Sequence, residues 1–327
     1  MIKRNRRPLL LATLFAVGMS LSAPLLADSP RSIRNKGSET MVDVATLWSR
    51  AYQAMVPESR NAVVEVYGGG SGNGIAALIN GHVDIANTSR AMKKREVRLA
   101  SRRLRKDPQG HIVGWDGLAV VVHPENPVNQ LSFETLNKIY RKRGSMLSWS
   151  EMGIEVPNCP KQRIAAVSRK INTGTYAFFR QQVLGKRGLM RRDIDYLRTR
   201  EEVVDSVAND PCAIGYISIS KLSDRIKPVC LVQELQPVKQ PSSQRQKEAQ
   251  SGESLLIKSC IAPAGDGPRV ASDYPMLRPL YMYTLGDPDP QVLAYIKWVQ
   301  GENGQRMIES HGFIPIGQGA DKPAEEK

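Results

Sequence analysis

Histidine is scarce in this 327-residue sequence, and His82, His111, His123 and His311 are scattered without a His-Glu-x-x-His or similar metal-binding spacing. Zinc-dependent and histidine-assisted hydrolysis therefore lack their parts. Aromatic residues amount to only 6%, and the most basic stretch contains none, so base stacking of the kind that holds single-stranded nucleic acid has no platform. The four cysteines, Cys159, Cys212, Cys230 and Cys260, match no metal ribbon. Past residue 27 no apolar run is long enough to cross a bilayer. Residues 68–74 are glycine-rich, yet they fit neither G-x-G-x-x-G nor a P-loop, and the nucleophile elbow G-x-S-x-G fails at Asn73. Nucleotide binding is disfavoured and no enzyme class has positive support. Neither a metal nor a cofactor is called for.

At the amino terminus, Lys3, Arg4, Arg6 and Arg7 precede an apolar stretch from Leu9 to about Leu26, and Ala27 stands before Asp28-Ser29-Pro30. That is the layout of a secretory signal peptide over residues 1–27. Gly18, Ser20, Ser22 and Pro24 interrupt the run and argue against a permanent anchor. An exported chain with an even number of cysteines suits disulfides. A Cys230–Cys260 bond would pin the base of an inserted loop, and Cys159 and Cys212 would pair or stay as buried thiols. The formal charge is +14, four units of which belong to the leader. Most of the rest sits in residues 90–106, where nine Lys or Arg face Glu96 alone. Such a run makes a solvated basic face, raises anion concentration near a cleft, or meets an acidic partner.

Short apolar strands alternate with helical periodicity along the mature chain, which points to an α/β architecture. Met41, Val44, Trp48, Tyr52 and Met55 recur at helical intervals after Gly37-Ser38-Glu39-Thr40. A strand is predicted at 62–67, a glycine turn at 68–74, a short helix at 75–79 stopped by Asn80-Gly81, and a strand at 83–86. Residues 117–123 and 280–284 read as crossing strands. A helix is predicted at 133–140, strands at 163–167 and 213–217, and a final helix capped by Asp289-Pro290. Residues 237–252 are polar and form the centre of a surface insertion over about 234–259, while 321–327 read as a disordered tail.

Three places share one design, in which a strand ends, a small hydroxyl or glycine turn follows, and a helix begins. They are residues 38–41, 70–74 and 169–175. Free N–H groups and the positive end of the dipole make a helix start an anion site, although Ser and Thr there are also ordinary caps. In one of the three, Arg169 stands immediately before the turn.

Gly37-Ser38-Glu39-Thr40, Gly69-Gly70-Ser71-Gly72, the run from Asp84 to Arg90, Asp116-Gly117, Arg169-x-x-x-Thr173-Gly174-Thr175, Ala213-Ile214-Gly215-Tyr216 and the run from Tyr274 to Tyr281 occur in this order. Together they resemble the periplasmic phosphate-binding proteins of bacterial high-affinity phosphate ABC transporters, over almost the whole mature chain. The resemblance implies a periplasmic-binding-protein type II fold, with two α/β domains joined by two crossing strands and a cleft between them. Domain I would be 28–118 plus 277–320 and domain II 119–276. It further implies a monomeric, non-enzymatic periplasmic receptor that holds inorganic phosphate and delivers it to an inner-membrane permease, without nucleic acid. Carried over by position, the resemblance implies Thr40, Met41 (by its N–H), Ser71, Arg169, Thr173, Gly174 and Thr175 as phosphate-binding residues; Ser38, Ser89, Arg90 and Asp116 join them as candidates from the residues themselves.

Two positions depart from the family. Thr173 stands where many members have Ser, and Ser89 stands where some have an acidic acceptor. The acceptor matters because phosphate near neutral pH carries a proton and sulfate does not. A buried carboxylate repels sulfate, by as much as several powers of ten. Asp116 is the candidate replacement, against the alternative of a turn or cap carboxylate, and Arg90 binds the anion, orients Ser89 or belongs to the basic run. Another tetrahedral oxyanion, sulfate or a metal oxyanion, is the alternative ligand. A surface adhesin reusing the fold is the alternative function.

Overall fold

The computed structural model describes residues 31–57, 62–233, 259–261 and 274–317. The leader, the polar insertion and the charged tail expected from the sequence lie outside them. The chain opens with β1 (Arg31–Gly37), α1 (Val42–Met55), β2 (Ala62–Tyr67), α2 (Ser71–Ile79), β3 (Ile85–Thr88), α3 (Lys94–Leu104) and the long β4 (Pro108–Val122). There follow β5 (Gln130–Ser132), α4 (Phe133–Tyr140), β6 (Ala165–Arg169), α5 (Gly174–Leu184), β7 (Asp195–Leu197), α6 (Arg200–Asn209) and β8 (Ala213–Ser218). β9 (Lys227–Gln233), β10 (Ser259–Ile261), β11 (Leu277–Leu285), α7 (Pro290–Gln300) and α8 (Glu302–Ser310) complete the described elements.

β1 pairs in parallel with β2 and β3, and β11 runs antiparallel between β3 and β4. The first part of β4 belongs to this sheet. Its last residues, Leu118 to Val122, instead pair with β8, which leads on in parallel to β6 and β7. Each half of the sheet has helices on both faces, as parallel strands demand. In the first lobe α1, α7 and α8 bury Trp48, Tyr295 and Ile308 on one side, and α2 and α3 bury Ile75 and Ala100 on the other. In the second lobe α4 and α5 pack Tyr140 and Phe179 against one face, and α6 packs Val203 and Val207 against the opposite one. Phe179 stacks on Tyr216 with ring centroids 3.7 Å apart. The expected fold class is borne out. Among the described residues no helix is long and apolar enough to cross a membrane.

β2, α4 and the Asp289 cap of α7 fall where the sequence places them. α2 does not: it begins at Ser71 rather than Ile75. Gly70 takes φ 92°, a conformation open to glycine, and this lets the helix start at once. Gly74, inside the helix, lets α2 pack closely on β1, for a Cβ there would sit 2.5 Å from the Lys36 carbonyl oxygen. β6 is likewise shifted toward its carboxyl end, to finish on Arg169. The basic run is a helix, α3, with only Ala100 buried and its cations facing outward. Cys159 and Cys212, left open between pairing and free thiols, form a disulfide with a Cα–Cα separation of 5.1 Å inside the second lobe. Cys230 is also disulfide-bonded, and its expected partner Cys260 has its side chain outside the described residues.

Candidate functional site

β1, β2, β3 and β6 end on the same seam, where the carboxyl ends of strands in open α/β sheets present ligand sites. Ser38 leaves β1, Ser71 opens α2 after the glycine turn, Ser89 follows β3, and Gly174-Thr175 open α5 after β6. All five are buried or nearly so. The Ser38 hydroxyl donates to Ser89 Oγ at 3.1 Å, Ser71 Oγ lies 3.4 Å from Ser89 Oγ, and the Ser89 N–H donates to Ser71 Oγ at 3.2 Å. Gly174 of the second lobe abuts this first-lobe trio, and a Cβ there would run into the Ser89 and Ser71 hydroxyls. Next to it, Thr175 Oγ1 is 3.4 Å from Thr40 Oγ1. The lobes also meet where the Gly72 N–H donates to the Asn172 carbonyl at 3.2 Å. Arg200, at the start of α6, donates to the Thr40 carbonyl at 3.3 Å and pairs with Asp43 at 3.0 Å, as does Lys221.

Arg169 ends β6 and is 2% exposed. One Nη2 donates to the Arg198 carbonyl at 2.6 Å, but Nε and Nη1 are buried without a partner. Burial, with Arg200 adding like-charge repulsion, pulls its pKa down to about 10. Buried polar groups are satisfied in the great majority of cases, so a buried guanidinium with two idle nitrogens is an exception here.

Asp116 and Arg278 face each other across the β4–β11 register, both wholly buried. Nε and Nη2 of Arg278 donate to Asp116 Oδ2 at 3.0 and 2.7 Å, and Ser218 donates to Oδ1 at 2.6 Å. Nη2 also reaches Thr175 Oγ1 at 3.1 Å and Thr40 Oγ1 at 3.4 Å, while Nη1 has no partner. Loss of hydration raises the Asp116 pKa, against the opposing pull of Arg278.

Ser38, Thr40, Ser71, Ser89, Asp116, Gly174 and Thr175 are thus brought together around one seam, with Arg169 buried at the end of the adjoining strand. Three expected residues are otherwise engaged. The Met41 N–H donates to the Ser38 carbonyl at 3.0 Å and its side chain joins the core. Thr173 spends its hydroxyl on the Lys170 carbonyl and on capping Tyr176 N–H. Arg90 is held by both oxygens of Glu96 at 2.8 Å, away from the cluster. Asp116 is present, but its two oxygens already have donors. Arg278 and Arg200 escaped sequence reasoning. Arg278 lay within the motif from Tyr274 to Tyr281, but only strand register reveals its partner.

A family profile described as a PBP superfamily domain matches residues 27–303. The phosphate-binding protein PstS of Pseudomonas aeruginosa is 25% identical over 295 residues, 87% of this chain and 83% of its own length. Protein SphX of Synechococcus elongatus is 30% identical over 221 residues, 66% of this chain and 62% of its own. Two solved structures share the fold. A putative phosphate ABC transporter substrate-binding protein with bound phosphate, from Clostridium perfringens, gives a TM-score of 0.65 at 20% identity, covering 88% of this chain and all of the other. An ABC-type phosphate transport receptor from Vibrio cholerae gives 0.62 at 24%, covering 86% and 99%. The resemblance carried by the ordered motifs is borne out. The profile takes in most of the sequence, and the chain belongs to the PBP superfamily.

Proposed function

We propose that this chain captures inorganic phosphate between its lobes and hands it to an ABC permease of the inner membrane, without covalent chemistry. Arg169 carries the proposal: a guanidinium 2% exposed, with Nε and Nη1 unpartnered, beside the start of α5. Gly174 and Thr175 occupy the first two positions of that helix, whose N–H groups have no acceptor within it and whose dipole favours an anion. The hydroxyls of Ser38, Thr40, Ser71, Ser89 and Thr175 supply groups that donate or accept as the ligand requires. The phosphate named in the relatives' descriptions fits this donor set.

In this reading residues 1–27 direct export to the periplasm and are removed, and the mature chain acts as a monomer. The domains are 28–118 with 277–320 and 119–276, closing about β4 and β11 as hinge proteins do. Titration calorimetry of the mature protein, freed of phosphate by partial unfolding and dialysis, is expected to give one site per chain. Absence of both heat and a thermal shift at millimolar phosphate overturns the proposal.

A further inference from the structure

α3 breaks the electrostatic rules that the other surface helices keep. α4 and α8 each pair opposite charges four residues apart, Glu134 with Lys138 and Glu302 with Arg306. In α3, Lys94 and Arg95 stand in the first turn, where the helix dipole disfavours cations. Lys94, Arg98 and Arg102 then follow at four-residue intervals, so like charges line one stripe and repel. Glu96, the only acid of the helix, is turned to Arg90 and to the Lys93 N–H. Among the described residues, Lys94, Arg95, Arg98, Arg102 and Arg103 have neither an ion pair nor a side-chain hydrogen bond. All five are exposed, because the helix turns Glu96, Ala100 and Leu104 inward. Leu99, a neighbour of Arg95, Arg102 and Arg103 on the helix surface, is 48% exposed.

We infer that the outward face of α3 docks on the anionic headgroups of a phospholipid bilayer, with Leu99 entering the headgroup layer between Arg95 and Arg102. The inference stands apart from the phosphate reading. A helix of 11 residues, about 16 Å long, can lie flat on such a surface, as basic amphipathic helices do. Its cations gain from a negatively charged plane without meeting any one partner in a fixed place. That matches what the side chains show, since no hydrogen bond positions them. An acidic protein would have to present carboxylates in register with five long, unfixed side chains, whereas fluid headgroups diffuse to meet them. Covering the face with negative charge also removes the repulsion along Lys94, Arg98 and Arg102, and burial of Leu99 adds an apolar contribution.

The test is cosedimentation of the mature protein, residues 28–327, with vesicles of mixed phosphatidylglycerol and phosphatidylcholine and with vesicles of phosphatidylcholine alone. Binding to the anionic vesicles only is expected, and its loss in about 1 M salt, where the screening length is about 3 Å. Because the whole chain is basic, two triple variants separate a face from a net charge. Arg95→Gln with Arg98→Gln and Arg102→Gln is expected to weaken binding by about 100-fold. Lys142→Gln with Arg143→Gln and Arg192→Gln removes the same charge from exposed positions of the second lobe, and is expected to stay within about threefold of wild type. Leu99→Ser, with every cation kept, is expected to cost about three- to tenfold. Equal losses in the two triple variants, or binding to phosphatidylcholine alone, overturn the inference. Unchanged binding by Leu99→Ser overturns the insertion. A protein that ignores anionic vesicles at low salt, yet is held on immobilised polyglutamate through α3, also overturns it and gives the face to an acidic protein. Circular dichroism shows that each variant is folded; should the α3 triple variant fail to fold, the two vesicle types and Leu99→Ser still decide the matter.

Discussion

Replacing Arg169 with methionine should move stability and affinity in opposite directions. The guanidinium is buried with two idle nitrogens, and burial pulls its pKa from the ordinary guanidinium range down to about 10. At about 1.36 kcal/mol per unit, that shift says the charged form costs the folded protein on the order of 3 kcal/mol. The sign follows from a base whose folded pKa is depressed: the penalty is fully present below about pH 10 and is relieved as pH rises through that value. Methionine fills similar space without the charge and forfeits only the bond to the Arg198 carbonyl, worth about 1 kcal/mol. The phosphate-free variant should therefore be stabilised by about 2 kcal/mol at pH 7, read from urea unfolding. The same change removes two charge-assisted hydrogen bonds to the ligand, about 1.5–3 kcal/mol each. Phosphate affinity should fall by roughly 10² to 10⁴-fold in calorimetry. A variant that is less stable than wild type yet binds phosphate within threefold of it refutes the reasoning on both counts.

Three further outcomes are expected. Gly174→Ala should lower the melting point and weaken phosphate by about 10- to 100-fold, because the new methyl runs into the Ser71 and Ser89 hydroxyls that Gly174 abuts. Titration calorimetry beside a melting curve checks both halves. Asp43→Asn removes a half-exposed carboxylate and frees Arg200 and Lys221, so phosphate should bind a few-fold more tightly at low salt. That gain should shrink in about 1 M salt, where such charges are screened. In the wild type, affinity should stay flat with respect to Arg169 up to about pH 10 and then fall as that side chain loses its proton. Equilibrium dialysis with labelled phosphate, on protein shown to be folded by circular dichroism, reads this. Affinity undiminished at pH 11 would contradict it.

Much of the fold was legible because local chemistry sets it. The residues of β2 and α4 and the Asp289 cap declare themselves through alternation, helical spacing and a side-chain acceptor two residues ahead of a backbone N–H. The strand–turn–helix design also placed Ser38, Ser71, Gly174 and Thr175 together before any coordinates. What stayed hidden is non-local. Arg278 and Asp116 are 162 residues apart, and nothing but the antiparallel register of β11 on β4 sets them face to face. Arg200 sits in a capping-box segment with Thr199 and Glu202, whose local signal speaks of a helix start and is silent about Thr40 in the other lobe. Thr173 carries the reverse lesson: a hydroxyl in the right motif is spent on closing its own turn.

β4 also dictates an order of events. Its last five residues, with β8, β6 and the strands around them, draw on one unbroken stretch of chain, so the second lobe has all its strands up to Gln233 once that stretch emerges from synthesis. The first lobe must wait. Its β3 and the opening part of β4 remain raw edges until β11 arrives between them, some 190 residues after β3 was made, and unpaired edges of that kind invite association with other chains. The interval between those two moments is when this lobe is most exposed to aggregation.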